Sequence, residues 1–292
     1  MSADQRGNPM NMGNDPIMGA EIFKALSDCT AADFLPKLPR IQTIAARYRQ
    51  IPVPQDSSAP TVPQNKRFTP WMQAFLYLLS PDALQNLVDN PPLAEWICDV
   101  AKVFILMGNI FESTRLLFGD GYADAVKPYL CSKKGSDKFW NILTFNCHVH
   151  KLFDGGLFGL RPLQVTASGD GEPESYSTHF SVHWMPQTAI VSNEEDIIPD
   201  EETMKAMILE TPDYKHKKKQ MICSHRSDGS PVLEGDRYSI KFDKFEDARF
   251  MFAMLNYRWA VGVMRCLVGA AGLSEKQYDP DNDQDDSAYA FT

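Results

Sequence analysis

The densest group of side chains able to do chemistry lies in the run from Trp140 to Pro162, WNILTFNCHVHKLFDGGLFGLRP. It holds an amide, Asn141, and two imidazoles, His148 and His150. Imidazole is the side chain that exchanges protons near neutral pH and ligates metals most often. Two histidines two residues apart on a helix point to different faces, so His148 and His150 do not form one ligand pair. A histidine on an apolar helix is ordinarily a satisfied core side chain, and Asn141 has the same bland reading. Lys102 stands in an apolar stretch: solvated it is ordinary, buried it needs a partner or a lowered pKa and marks a site. His179 and His183 alternate with strand periodicity and share a face with Ser181, an ordinary strand pattern. No glycine-rich phosphate loop, Ser-His-Asp order or nucleophile elbow occurs in the chain. Gly119-Asp120-Gly121 lacks the alternating carboxylates and closing glutamate of a calcium loop. Lys217-Lys218-Lys219 has no interleaved aromatics and reads as a solvated loop.

These groups must be positioned by elements that the periodicity outlines. Ile17 to Leu26 carries helical spacing, and a second helical stretch runs from Ala31 to Tyr48, interrupted near Pro36 and Pro39. Prolines 52, 54, 60 and 63 mark a surface connection over 51–66. Thr69-Pro70 and Ser80-Pro81 each open a helix, a hydroxyl cap followed by a proline suited to the first turn. The stretch 94–107, with Ile97, Val100, Val103, Phe104 and Ile105, is rich in β-formers and is read as a strand. Gly108 to Tyr129 reads as helices broken at Gly119 and Gly121, and Cys147 to Phe153 as a short helix stopped by Asp154-Gly155-Gly156. Strands are expected over 157–166, 176–185 and 238–242. Phe245 to Val268 is a long helix, apolar nearly all round and therefore buried. The class is α+β, helix-rich, in a single domain.

The 292 residues are 23% charged and 43% hydrophobic, the composition of a globular chain with ample core. Twenty-nine basic against 38 acidic residues leave a net charge of −9, which argues against nucleic acid as the main partner, since such binding draws on excess positive charge. The six cysteines show no metal-site spacing, and the N-terminus has no signal-peptide core, so a cytoplasmic protein with reduced, structural thiols is expected. The stretch 250–271 is long and apolar, but Arg258 and Arg265 would each cost about 2.5–3.5 kcal/mol at a bilayer centre, so no membrane span is expected.

The run from Asn141 through His150, Phe153, Asp154, Gly156, Leu157, Phe158 and Leu160 to Pro162 resembles the second half of the HNH nuclease-like domain of many fungal proteins. Two further stretches resemble it more loosely: Cys98–Phe104 looks like the family's strand with the general-base histidine, and Trp259–Ala271 looks like its closing helix. The resemblance implies a ββα core and the following division: a disordered N-terminus (1–16), a helical arm and Pro-rich connection (17–66), an HNH-like domain (67–273) and an acidic tail (274–292). In a working nuclease of this kind the strand histidine activates water, the asparagine orients it, and the helix histidine helps hold a divalent metal. Here Lys102 occupies the base position, beside Ala101. A protonated lysine neither accepts a proton from water nor tolerates a metal beside it, so the site is degenerate and neither metal nor cofactor is expected.

Nuclease-like proteins of this type are associated with fungal natural-product pathways. The resemblance therefore implies a small-molecule enzyme, of which a norbornene-forming terpenoid Diels–Alderase is the particular form. Such a pericyclase needs a pocket that folds its substrate into a reactive conformer, and it gains from a hydrogen bond to the dienophile carbonyl. Lys102, Asn141 and His150 are the expected catalytic group. Trp140, Met254, Tyr257, Arg258 and Trp259 are the expected contacts to a hydrophobic substrate, with the C-terminal helix as one wall. Two alternatives remain: an inactive nuclease relative that still binds nucleic acid, and an active metal-dependent endonuclease whose base lies elsewhere.

Overall fold

The computed structural model describes residues 8–9, 15–20, 22–25, 28–53, 65–106, 110–130, 138, 141–145, 147–154, 156–168, 175–185, 196–207, 222–225 and 228–267. Helices and an antiparallel sheet coexist, so the class is α+β. Of the leading stretch, Asn8–Pro9 (β1) pairs with Ala167 and Thr166. The helix expected over 17–26 is instead a turn at 16–19 followed by irregular chain. Asp15 explains the difference: its Oδ1 accepts the Ile17 and Met18 N–H groups at 2.8 and 3.1 Å, an Asx-type arrangement that competes with a helix.

The helical half begins with α1 (Ala31–Phe34), a 3-10 turn (Leu35–Lys37) and α2 (Leu38–Tyr48), Pro36 and Pro39 each sitting in a first turn where a missing N–H costs nothing. Helices α3 (Pro70–Leu78) and α4 (Pro81–Asp89) start where Thr69-Pro70 and Ser80-Pro81 indicate, and Ser80 Oγ accepts the Ala83 N–H at 3.1 Å. Lys66 joins the Pro-rich connection to the next helix, with Nζ 3.0 Å from Glu95 and 2.7 Å from Asp99, which also accepts the Tyr48 hydroxyl.

That next helix, α5 (Pro91–Leu106), corrects the strand expected over 94–107. The Asn90 side chain accepts the Leu93 N–H, and Ala94, Ile97 and Cys98 are buried while Trp96 and Asp99 are not, a spacing of three and four rather than two. The β-branched residues are tolerated because a capped start and an apolar stripe outweigh a propensity difference below about 1 kcal/mol per residue. Helices α6 (Ile110–Phe118) and α7 (Asp120–Leu130) are separated at Gly119 alone, which takes φ +86° and ends α6; Gly121 lies inside α7.

Helix α8 (Cys147–Asp154) ends in a Schellman arrangement. Leu157 N–H bonds Leu152 O at 2.9 Å, Gly156 N–H bonds Phe153 O at 3.0 Å, and Gly156 supplies the φ of +67° this closure needs. The chain then enters β2 (Phe158–Ser168), turns back through β3 (Ser175–Trp184) and later adds β6 (Arg237–Phe242), giving the order β1-β2-β3-β6. A bulge between Pro162 and Gln164 shifts the β2–β3 register. A short α9 (Glu201–Met207) and a separate ladder of β4 (Ile222–His225) and β5 (Pro231–Val232) fall between β3 and β6.

The last helix, α10 (Phe245–Leu267), is buried as expected and joins two cores. Its first half, Ala248 to Leu255, packs with Phe158, Leu160, Phe180, Val182 and Phe242 of the sheet. Its second half, from Trp259 to Leu267, packs with residues of α2 to α5 and with Met185. Among the described residues no helix is long and apolar enough to cross a membrane.

Candidate functional site

The three residues expected to act together fall on a helix, a loop and a helix, not on a strand, a loop and a helix. Lys102 lies on α5, its side chain outside the described part of the structure. Asn141 is exposed, its N–H bonded to Lys138 O at 2.9 Å. His150 is exposed on α8 and pairs with Asp154 one turn on, Nδ1 to Oδ2 at 2.8 Å. Trp140 lies outside the described residues. Met254 and Tyr257 are half-buried, and Arg258 sets its guanidinium 4.9 Å from the Phe153 ring centre, which ties α10 to α8. Phe153 in turn meets Phe145 and Phe158 at centroid separations of 5.3 and 5.4 Å.

Trp259 is buried, and it leads to a polar cluster that spacing alone does not reveal. Ser181 and His183 alternate on β3, and their cross-strand partners on β2 are Arg161 and Gly159. Strand β6 ends opposite Ser181. The turn before it bonds Gly235 N–H to Val182 O at 2.8 Å, with φ of +81° at Gly235, and carries Glu234 past the end of the ladder. There the Glu234 carboxylate accepts the otherwise unpaired Trp184 N–H at 2.6 Å and meets His183 Nδ1 at 2.8 Å. His183 Nε2 lies 2.8 Å from Ser181 Oγ. A carboxylate only accepts, so Nδ1 carries a ring proton; in that neutral tautomer Nε2 is the acceptor for the Ser181 hydroxyl.

Above this relay the Trp259 ring lies 5.4 Å from the His183 ring, and its Nε1–H donates to Phe23 O at 2.8 Å. Arg161 Nε–H donates to the same carbonyl at 3.0 Å. Gly159 is required by packing: a Cβ there would stand 2.9 Å from the Trp259 ring and 2.6 Å from Met185 Cε. Further along β3, His179 Nε2 is 2.8 Å from Thr166 Oγ1, and burial holds its imidazole below the ordinary pKa.

Chemically, the cluster provides a serine hydroxyl polarised by a histidine–carboxylate pair, with an arginine on the opposing strand. It also immobilises a large aromatic wall. The Cys29, Cys98 and Cys266 thiols offer no alternative nucleophile: burial pushes Cys29 and Cys98 up to about 12 and Cys266 higher still. Among the described residues no three His, Cys, Asp or Glu side chains are grouped to hold a metal ion. The sequence reading named Ser181, His183 and Trp259 but missed Glu234, Gly159, Arg161 and the Phe23 carbonyl. Leu233-Glu234-Gly235-Asp236 carries a turn signal, yet nothing in its spacing points to His183. Compared with protein-family models, curated proteins and solved structures, the chain gives no match.

Proposed function

We propose that this protein is a small-molecule enzyme of fungal secondary metabolism. In this reading it folds a terpenoid against the α10 wall and catalyses an intramolecular, Diels–Alder-type cycloaddition on a degenerate HNH-like scaffold. The resemblance of the run Asn141–Pro162 supports the scaffold, and the net charge of −9 supports a role other than nucleic-acid cleavage. The observation that carries the reading is the immobilised Trp259: its ring rests on His183 and its N–H is tied to Phe23 O, so one apolar wall is rigid beside half-buried Met254 and Tyr257. Cycloaddition bonds form only from a compact conformer, so a rigid apolar wall supplies much of what the reaction requires.

A cycloaddition leaves the mass unchanged, and this makes the test direct. A producing strain lacking the gene should accumulate an uncyclised isomer of its product, which the purified protein converts with EDTA present. Divalent-metal-dependent nicking of plasmid DNA, abolished by His150→Ala, would instead establish the nuclease.

The relay favours a second reading, acyl transfer. Ser181 Oγ would attack an ester carbonyl, His183 taking its proton and returning it to the departing alcohol, and water would then release the acid. Labelling of Ser181 by a fluorophosphonate, lost in Ser181→Ala, checks it; an unlabelled protein leaves the relay a structural support for Trp259.

A further inference from the structure

Asn256 is a buried polar residue that the fold leaves unexplained, with both amide atoms unpartnered where Gln73 lacks a partner at Oε1 alone. It lies in the middle of α10, 0% exposed, and neither its Oδ1 nor its Nδ2 has a hydrogen-bond partner. Residues three and four away on the same helix face, Phe252, Ala253, Trp259 and Ala260, are all buried. The hydroxyl bonded to this face, that of Tyr122, donates to the Ala253 carbonyl at 2.8 Å, one turn before Asn256. Asparagine is a poor helix former, and a bare amide in an apolar interior is strongly unfavourable, so natural structures rarely keep one without a partner. A leucine would fill similar space at no such cost. The residue is therefore matched to something that the free chain does not supply.

We infer that Asn256 is the polar handle of a ligand site on α10, donating its amide N–H to the neutral carbonyl of an otherwise apolar, terpenoid-sized molecule whose hydrocarbon part lies against Trp259. This rests on the proposed pocket and deepens it by naming the carbonyl donor. Three residues of helix separate Asn256 from Trp259, about 4.5 Å of rise, so one ring system reaches both. The donor is neutral and cannot lose a proton near neutral pH, so it recognises a ketone, aldehyde or ester in preference to an anion. In a cycloaddition the same bond would draw charge from the dienophile carbonyl.

The test uses two probes of one skeleton, the ketone carvone and the hydrocarbon limonene, with calorimetry on the full chain. Wild type should bind carvone at least tenfold more tightly, and the carbonyl stretch of bound carvone should move to lower frequency. Asn256→Leu should bind both probes alike, keep its limonene affinity and melt at or above the wild-type midpoint. Equal wild-type affinity for the two probes, or a preference that survives Asn256→Leu, overturns the inference and leaves the pocket standing. Binding of neither probe overturns both. An Asn256→Leu protein that melts well below wild type, or fails to fold, shows that the amide is satisfied in the free protein and also overturns the inference; the wild-type affinity ratio and infrared shift do not depend on that variant.

Discussion

Two histidine–carboxylate pairs in this molecule have the same length, 2.8 Å, and different consequences. His150 and Asp154 are four residues apart on α8, with side chains 58% and 54% exposed. His183 and Glu234 are 51 residues apart, with side chains 9% and 24% exposed. Water competes for the first pair and salt screens it, so it adds little beyond the helix that already exists. The second pair closes a turn onto β3, satisfies a strand N–H, orients a serine and supports Trp259, all where water is largely excluded. Contact length alone therefore ranks nothing; burial and the number of otherwise unpaired groups do.

Replacing His183 by alanine should show the largest effect. It strands Ser181, leaves Glu234 with the Trp184 N–H alone and removes the surface beneath Trp259, with an expected loss of roughly 2–4 kcal/mol in urea unfolding. A change as small as that of an exposed pair would erase the distinction. Gly159→Ala comes next, at about 1–3 kcal/mol, because Trp259 is tethered at Phe23 O and cannot swing away from the new methyl. Trp259→Phe relaxes both the volume and the tether, so adding it to Gly159→Ala should recover part of the loss in a double-mutant cycle.

A smaller effect depends on pH. Burial lowers the His179 pKa, so the unfolded ring takes up a proton near its ordinary 6.5 while the folded ring does so only at lower pH. Stability from this group is thus lost as pH falls from about 6.5 toward the folded pKa, and is constant above about 6.5. His179→Gln should flatten that acid limb in pH-dependent thermal melts; an unchanged limb would show that His179 is not its source. The smallest effect belongs to His150→Ala, within about 0.5 kcal/mol of wild type at low and high salt. A salt-dependent loss larger than that would promote the exposed pair to the rank of the buried one.

Several elements were legible from local signals, although the Asp15 turn and the helical Gly121 were not. Thr69-Pro70 and Ser80-Pro81 mark helix starts, Gly119 and Gly156 mark ends, and the apolar circumference of α10 marks a buried helix. The stretch 94–107 is rich in β-branched residues and reads as a strand, but the 94, 97, 98 burial period and the Asn90 cap make it a helix. The difference matters for the site, since Lys102 lies on a helix and not on a strand. Ser181 and His183 were legible as neighbours on one strand face, whereas their role was not.

Cap, period and turn act over a few residues, so the chain alone determined its α+β class, the strands β2 and β3 and the burial of α10. Tertiary structure alone decided that Glu234 reaches His183 across 51 residues, that Phe23 O meets the Trp259 N–H across 236, and that the Asn256 amide finds no hydrogen-bond partner. Those outcomes depend on where β6 stops and how α10 crosses between two cores. They are properties of packed surfaces, and no spacing along the chain encodes them.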